Sequence, residues 1–190
     1  SEMCIRDRIC VNSFLTFRQA LLRYSKKPHI VFFGIDCDNI NSKRNNTENK
    51  FIAVTVGGLN PQKNQIDAIK AIEKVIKVIP SIRLLLIGGG DYIYENMLRR
   101  YVLSRKMSKY VIFKGPLPHE RVLKVISNSN VGLFPFKEQG GLLSPLETLC
   151  CGIPIVVSPE CGVAEIIRRF NLKGCIITRD YSSALINIYK

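Results

Sequence analysis

From Phe51 onward the chain alternates between short continuous apolar runs and longer segments with helical periodicity. The apolar runs are Phe51–Val56, Ile82–Ile87, Val111–Phe113, Val131–Phe134, Ile153–Val157 and Cys175–Thr178. They do not alternate apolar with polar residues, which marks strands buried on both faces. Helix-like segments lie between them at Gln65–Val78, Tyr92–Lys106, His119–Asn128, Ser144–Cys151 and Ala164–Phe170. In the first of these, Ile66, Ile69, Ile72 and Ile76 recur at helical spacing. Strand–helix alternation over this length predicts an α/β fold with a doubly wound, parallel, Rossmann-like sheet.

The front of the chain reads differently. Ile9–Val11 and His29–Phe33 are short β-prone runs. Between them a helix is expected from Ser13 to Tyr24, with Leu15, Leu21 and Leu22 sharing much of one face. Residues 37–50 are polar and read as a linker. The expected organisation is therefore a strand–helix–strand piece at 9–36, a linker at 37–50 and a domain at 51–190. Residues 1–8 show no periodicity and are set aside as a sequence artefact or a disordered end. No charged start leads into an apolar stretch and a small-residue cleavage site, so no secretory signal is read. No apolar run approaches the roughly 20 residues that span a bilayer.

Composition narrows the function classes. At 46% hydrophobic, the chain is not a disordered one. Its 28 Lys and Arg against 15 Asp and Glu give a net charge of +13, which favours anionic partners such as nucleotide phosphates, nucleic acid or acidic lipid. The basic residues are spread, and no nucleic-acid-binding module is recognisable. A basic nucleic-acid-binding α/β domain and a membrane-surface adaptor without catalysis are the rival readings. The seven cysteines are odd in number, lack zinc-ligand spacing and lie mostly in apolar surroundings. They read as thiols in a reducing, cytoplasmic compartment.

In a doubly wound sheet, ligands bind beyond the carboxyl ends of the strands, where the strand order reverses. The first such loop runs from Gly57-Gly58 to Lys63-Asn64. Lys63 stands at the start of a helix, where amide groups and the dipole already favour an anion. The same Lys also fits as a solvated first-turn residue. Gly88-Gly89-Gly90 completes no dinucleotide fingerprint. The stretch Pro135–Glu147 is more informative. Ser144 at the N-cap, Pro145 at the first helical position and Glu147 at the third make a capping box. That box leaves Glu138-Gln139 and Gly140-Gly141, crowded at the mouth of the same helix, unexplained. Asp36-Cys37-Asp38 is formally a DxD motif but sits at the edge of the linker and is not read as a metal site. His29 and His119 read as a strand-start and a helix-start residue rather than catalysts.

With these loops in order, the chain resembles the C-terminal, donor-binding half of a retaining glycosyltransferase of family 4, with the GT-B fold. The resemblance rests on VGGLNPQKN, LLLIGGGDY, VIFKGPLPHERVLKVISNSNVGLFPF and EQGGLLSPLETLCCGIPIVVSPECGVAEII in succession. Residues 9–40 resemble the last strand–helix–strand of that family's N-terminal domain. The resemblance implies transfer of a hexose from a nucleotide diphosphate sugar with retention of configuration, without a cofactor or a bound metal. It implies that Lys63 neutralises the donor diphosphate and stabilises the leaving group, beside Gly57 and Gly58. It implies that Glu147 holds the ribose, that Glu138 or Gln139 meets the sugar hydroxyls, and that the Gly140, Gly141, Leu142 and Leu143 backbone faces the donor. Two positions depart from the family pattern: Gln139 stands where the first motif Glu is expected, and Gly58 where the diphosphate Arg is expected. The family's active-site His and acceptor pocket lie in the N-terminal domain, so this chain by itself is expected to bind donor without turnover. A peripheral contact with an anionic membrane is compatible with this reading, and nucleic acid is not expected as a partner.

Overall fold

A computed structural model describes residues 9–11, 14–24, 27–31, 34, 35, 37, 50–137 and 142–190. The chain forms two compact units, Ser1–Ile35 and Asp36–Lys190. In the first, strands β1 (Cys10–Val11) and β2 (His29–Ile30) pair in parallel, joined by helix α1 (Phe14–Arg23). Ala20 is the buried side chain on α1, while Leu21 and Leu22 are exposed. The apolar face expected there is therefore not covered; Leu15 lies outside the described side chains.

The second unit holds strands β3 (Ile52–Val56), β4 (Arg83–Ile87), β5 (Val111–Gly115), β6 (Val131–Phe134), β7 (Ile155–Val157) and β8 (Cys175–Ile177). They form one parallel sheet in the order β5-β4-β3-β6-β7-β8. Alternate residues of each strand feed opposite cores, which is why the apolar runs are continuous: Ala53 packs on one face and Val54 on the other. Helices α2 (Gln65–Val75), α3 (Tyr92–Ser104) and α7 (Tyr181–Tyr189) share the first face. Helices α4 (His119–Ser127), α5 (Leu143–Cys150) and α6 (Gly162–Phe170) cover the second.

Helix α7 was not anticipated. Asp180 starts it by accepting hydrogen bonds from the Ser183 N–H (3.1 Å) and hydroxyl (2.7 Å). It closes the α2 side of the sheet, burying Tyr181, Ala184 and Leu185, and sets Tyr189 edge-on to Phe51.

Two further expectations are corrected. Helix α5 begins at Leu143, with Leu142 as its cap residue and no side-chain capping bond. Ser144 is thus inside the first turn, and the expected capping box is not made. Pro145 is tolerated there because the first amides of a helix have no intrahelical acceptor in any case. The carbonyl of Ser144 instead accepts from the Thr148 hydroxyl at 2.7 Å. Second, Cys37 and Cys150, read from the sequence as thiols, are joined in a disulfide across 113 residues. Cys10, Cys151, Cys161 and Cys175 keep their thiols. The disulfide weighs against the reducing compartment inferred from the cysteine pattern. Among the described residues, no helix is long and apolar enough to cross a membrane.

Candidate functional site

The strand order reverses between β3, which pairs with β4 on one side, and β6 on the other. At this point the loops after β3 and β6 are tied together. Asn64 adopts the left-handed conformation (φ 51°), and its side-chain amide donates to the Pro135 carbonyl at 3.0 Å. The Lys137 N–H donates to the Gln62 carbonyl at 2.8 Å. These bonds stretch over 71 and 75 residues of chain, a relationship no local pattern discloses.

Lys63 is held by this frame. Its backbone N–H is shared between the Asn60 carbonyl (3.1 Å) and the Asn60 Oδ1 (2.9 Å). Its ammonium lies 4.3 Å from the centroid of the Phe136 ring, a cation–π arrangement that places the charge over the loop after β6. Phe136 is itself buried and fixed, because the Ser158 hydroxyl donates to its carbonyl and accepts from the Cys161 N–H at 3.0 Å. Burial pushes the Cys161 thiol up to about 11, with a backbone hydrogen bond and the nearby Lys63 charge opposing the shift.

The loop after β4 packs against the loop after β3 rather than flexing. The Gly57 N–H donates to the Ile87 carbonyl (2.9 Å) and the Leu59 N–H to the Gly89 carbonyl (3.1 Å). Gly88 has φ +133°, and a Cβ there would fall 2.2 Å from the Gly57 oxygen. Gly58 is different: a Cβ would meet the Gly89 oxygen at 3.5 Å, an ordinary contact. Its missing side chain is thus not imposed by the fold. Behind this loop, Gln65 is fully buried and donates to the Gly58 carbonyl at 2.9 Å. Among the described residues, its Oε1 has no hydrogen-bond partner. Sequence reading passed over Gln65 because it falls between apolar positions of an ordinary helix.

Glu147 lies on α5, which sits close to the sheet because β6 carries Gly132 there. A Cβ on Gly132 would approach Thr148 Cγ2 to 2.8 Å. The Glu147 side chain is 17% exposed, and its Oε1 lies 2.9 Å from the Nε2 of His119 at the start of α4. His119, set aside from the sequence, is therefore brought to the carboxylate singled out by the motif. Leu142 is buried and Leu143 exposed at the head of α5. Glu138, Gln139, Gly140 and Gly141 lie outside the described residues.

A cavity of about 420 Å³ opens beside the Lys63 loop, at the carboxyl ends of β6, β7 and β8. Asn64, Asp67, Lys137, Glu160, Arg179 and Tyr181 line it. Arg179 pairs with Glu160. The Tyr181 phenol is raised by burial, with the carboxylates of Asp67 and Glu160 adding to the shift. The cavity thus offers carboxylates, cations and a protonated phenol side by side, a set suited to hydroxyl-bearing groups. Among the described residues, no group of His, Cys, Asp and Glu has the arrangement of a metal site. Asp36 and Asp38 of the DxD sequence lie outside them.

Comparison with known proteins accords with this geometry. Residues 36–187 match the family model for glycosyl transferases group 1. The chain is 31% identical over 116 residues to a GDP-mannose-dependent monoacylated alpha-(1-6)-phosphatidylinositol monomannoside mannosyltransferase of Corynebacterium glutamicum, covering 57% of this chain and 29% of that protein. It is 24% identical over 180 residues to a D-inositol 3-phosphate glycosyltransferase of Acidothermus cellulolyticus, covering 85% of this chain and 40% of that protein. Among solved structures, Anabaena HepE in complex with UDP-glucose superposes with a TM-score of 0.81 at 16% identity, over 96% of this chain and 54% of that one. TarM of S. aureus gives 0.79 at 15% identity, over 95% of this chain and 35% of that one. These likenesses show the fold, that of GT-B glycosyltransferases, and the chain spans well under half the length of the two curated relatives. With four fifths of its length inside the family match, the chain belongs to the glycosyl transferases group 1 family.

Proposed function

We propose that this chain is the C-terminal, donor-binding half of a retaining family 4 glycosyltransferase, and that the whole enzyme moves a hexose from a nucleotide diphosphate sugar to an acceptor. The observation that carries this reading is the position of Lys63: a cation held at the strand-order reversal, over Phe136, at the start of α2. An anion bound there meets a fixed positive charge and the amides of a helix start. Such fixed charge stabilises a diphosphate leaving group as its negative charge develops. In this reading Glu147 accepts the ribose hydroxyls, Glu138 or Gln139 meets the sugar, and the Gly140–Leu143 backbone faces the donor. The cavity beside Lys63 has room for the hydroxyl-bearing part of a substrate. Lys63 and the helix ends supply the positive charge that a metal supplies elsewhere, so the reading calls for no cofactor.

The neighbours support a nucleotide as ligand, since HepE was solved with UDP-glucose and the corynebacterial relative is GDP-mannose-dependent by name. The acceptor-binding groups belong to the N-terminal domain in this reading, so the chain alone binds nucleotide diphosphate without transferring sugar. A cytoplasmic site of action, peripheral to a membrane, belongs to the same proposal.

Calorimetry of the purified chain against UDP, GDP and ADP, with Glu147→Ala beside it, tests the donor site. Selective binding of one nucleotide that is lost in the variant supports it and identifies the base. Sugar transfer by this chain alone to a purified acceptor would overturn the division of labour.

A further inference from the structure

Helix α3 exposes an apolar face where a surface helix ordinarily presents polar residues. Tyr92 is 78% exposed, Ile93 80%, Met97 43% and Leu103 66%. Of the eight large hydrophobic side chains exposed in the described part of the Asp36–Lys190 unit, four stand on this one helix. Scattered exposed hydrophobics are normal, but a cluster on one face marks an interaction surface.

The arrangement around the helix is specific. At about 100° per residue, Tyr92, Leu103, Arg100, Ile93 and Met97 fall within an arc of about 140°. Tyr94, Leu98 and Val102, on the opposite side, are buried against the sheet. The outward arc holds no acidic residue. The two acids nearest to it are both occupied: Asp91 caps the helix by accepting from the Ile93 and Tyr94 N–H groups, and Glu95 pairs with Arg99 at 2.6 Å. Arg105 faces Glu73 at 3.5 Å. Arg100, within the arc, and Lys106, just past the helix end, form no ion pair among the described residues. The face is thus apolar at its centre and cationic along its length.

We propose that the outward face of α3 docks on an anionic lipid surface. Ile93, Met97 and Leu103 enter the boundary between headgroups and acyl chains, Tyr92 sits at the headgroup level, and Arg100 and Lys106 meet lipid phosphates. A helix with this division of residues binds in the plane of the interface, its strength set by buried apolar area together with attraction to anionic lipid. A protein partner of matching shape would need acidic groups opposite Arg100 and Lys106. A bilayer supplies both the apolar depth and the negative charge without a fitted surface. The proposal is independent of the donor-site reading.

Sedimentation with vesicles tests it. The chain is expected to bind vesicles of phosphatidylcholine mixed with phosphatidylglycerol, and to bind pure phosphatidylcholine far more weakly. Ile93→Ser, Met97→Ser and Leu103→Ser combined keep the net charge unchanged and are expected to lower partitioning about tenfold or more. Circular dichroism verifies that this surface variant stays folded. Arg100→Gln with Lys106→Gln is expected to weaken binding and reduce its sensitivity to salt. Equal binding of the triple-serine variant and the parent chain would overturn the proposal, because spread positive charge alone would then account for the attraction. Equal binding of the parent chain to neutral and anionic vesicles would overturn it too. A parent chain that ignores vesicles but self-associates, with the triple-serine variant monomeric, would assign the face to a protein contact instead.

Discussion

His119 and Glu147 meet at 2.9 Å, Nε2 to Oε1, joining the first residue of α4 to α5 across 28 residues of sequence. The carboxylate is the fixed member, 17% exposed, whereas the imidazole is 67% exposed and free to swing toward solvent. A ligand hydroxyl therefore has two routes to Glu147: it displaces His119 from Oε1 or uses the second oxygen.

Glu147→Gln keeps the side-chain volume and removes the charged acceptor. Hydrogen bonds to a charged group contribute about 1.5 kcal/mol or more, so nucleoside diphosphate affinity is expected to fall roughly tenfold. His119→Ala is expected to cost less, since it removes a competitor as well as an orienting partner. Calorimetry on the two variants side by side separates these effects. A larger loss in His119→Ala would make the imidazole, not the carboxylate, the principal ligand group.

Lys63→Met removes the charge over Phe136 while retaining an apolar stem. It is expected to weaken binding of a nucleoside diphosphate about tenfold and to leave the free nucleoside unaffected, because the ammonium acts on phosphate alone. Gly58→Arg is the complementary test. The backbone there has room for a Cβ, 3.5 Å from the Gly89 oxygen, so the variant should fold normally and bind the diphosphate more tightly. A Gly58→Arg chain of normal stability with unchanged affinity would place the diphosphate elsewhere.

The glycines on either side of the site differ in what they restrain. Gly88→Ala puts a methyl group 2.2 Å from the Gly57 oxygen at a φ of +133°. It should lower the melting temperature sharply, because backbone rather than a flexible side chain stands in the way. Gly132→Ala presses on Phe134 and on Thr148 of α5. Overpacking of this kind costs about 1–3 kcal/mol, and here it also displaces the helix that carries Glu147. Thermal melts with nucleotide titrations should show lost stability in both variants, with the loss of affinity per degree of melting greater for Gly132→Ala.

Alkaline stability follows from two buried acids. The Cys161 thiol, ordinarily near 9.0, is pushed up to about 11 by burial in the folded chain. Below pH 9 both folded and unfolded chains carry the proton and stability is complete. Above that, the unfolded chain releases its proton first, so stability falls from pH 9 through about 11. Tyr181, also raised by burial, extends the fall above pH 10. Denaturant titrations from pH 8 to 11 should show this decline, and Cys161→Ala should flatten its first part. An unchanged slope in that variant would assign the loss to other groups.

Much of the fold was legible because strand and helix periods are local. The runs from Phe51 to Thr178 became β3 to β8 nearly in place, since their residues feed two cores and leave no polar face. Helix α7 was missed although Asp180 and the apolar set at Ala184, Leu185 and Ile188 signalled it. The expected box at Ser144 failed because α5 starts one residue earlier, at Leu143, held against Gly132 by packing rather than by a cap. For the site, motif spacing singled out Lys63 and Glu147 but not their neighbours.

By itself, the sequence determined the α/β alternation, the parallel sheet, the positive balance of charge and the two residues on which the proposed chemistry turns. Each of these depends on composition or on spacing within a few turns of chain. Only the tertiary structure decided that Phe136 lies under Lys63, that His119 meets Glu147, that Gly88 is pressed against Gly57 and that the apolar face of α3 is left uncovered. Those facts depend on which loops the order β5-β4-β3-β6-β7-β8 brings together. That order is chosen by the burial of whole elements against one another, which no local pattern contains.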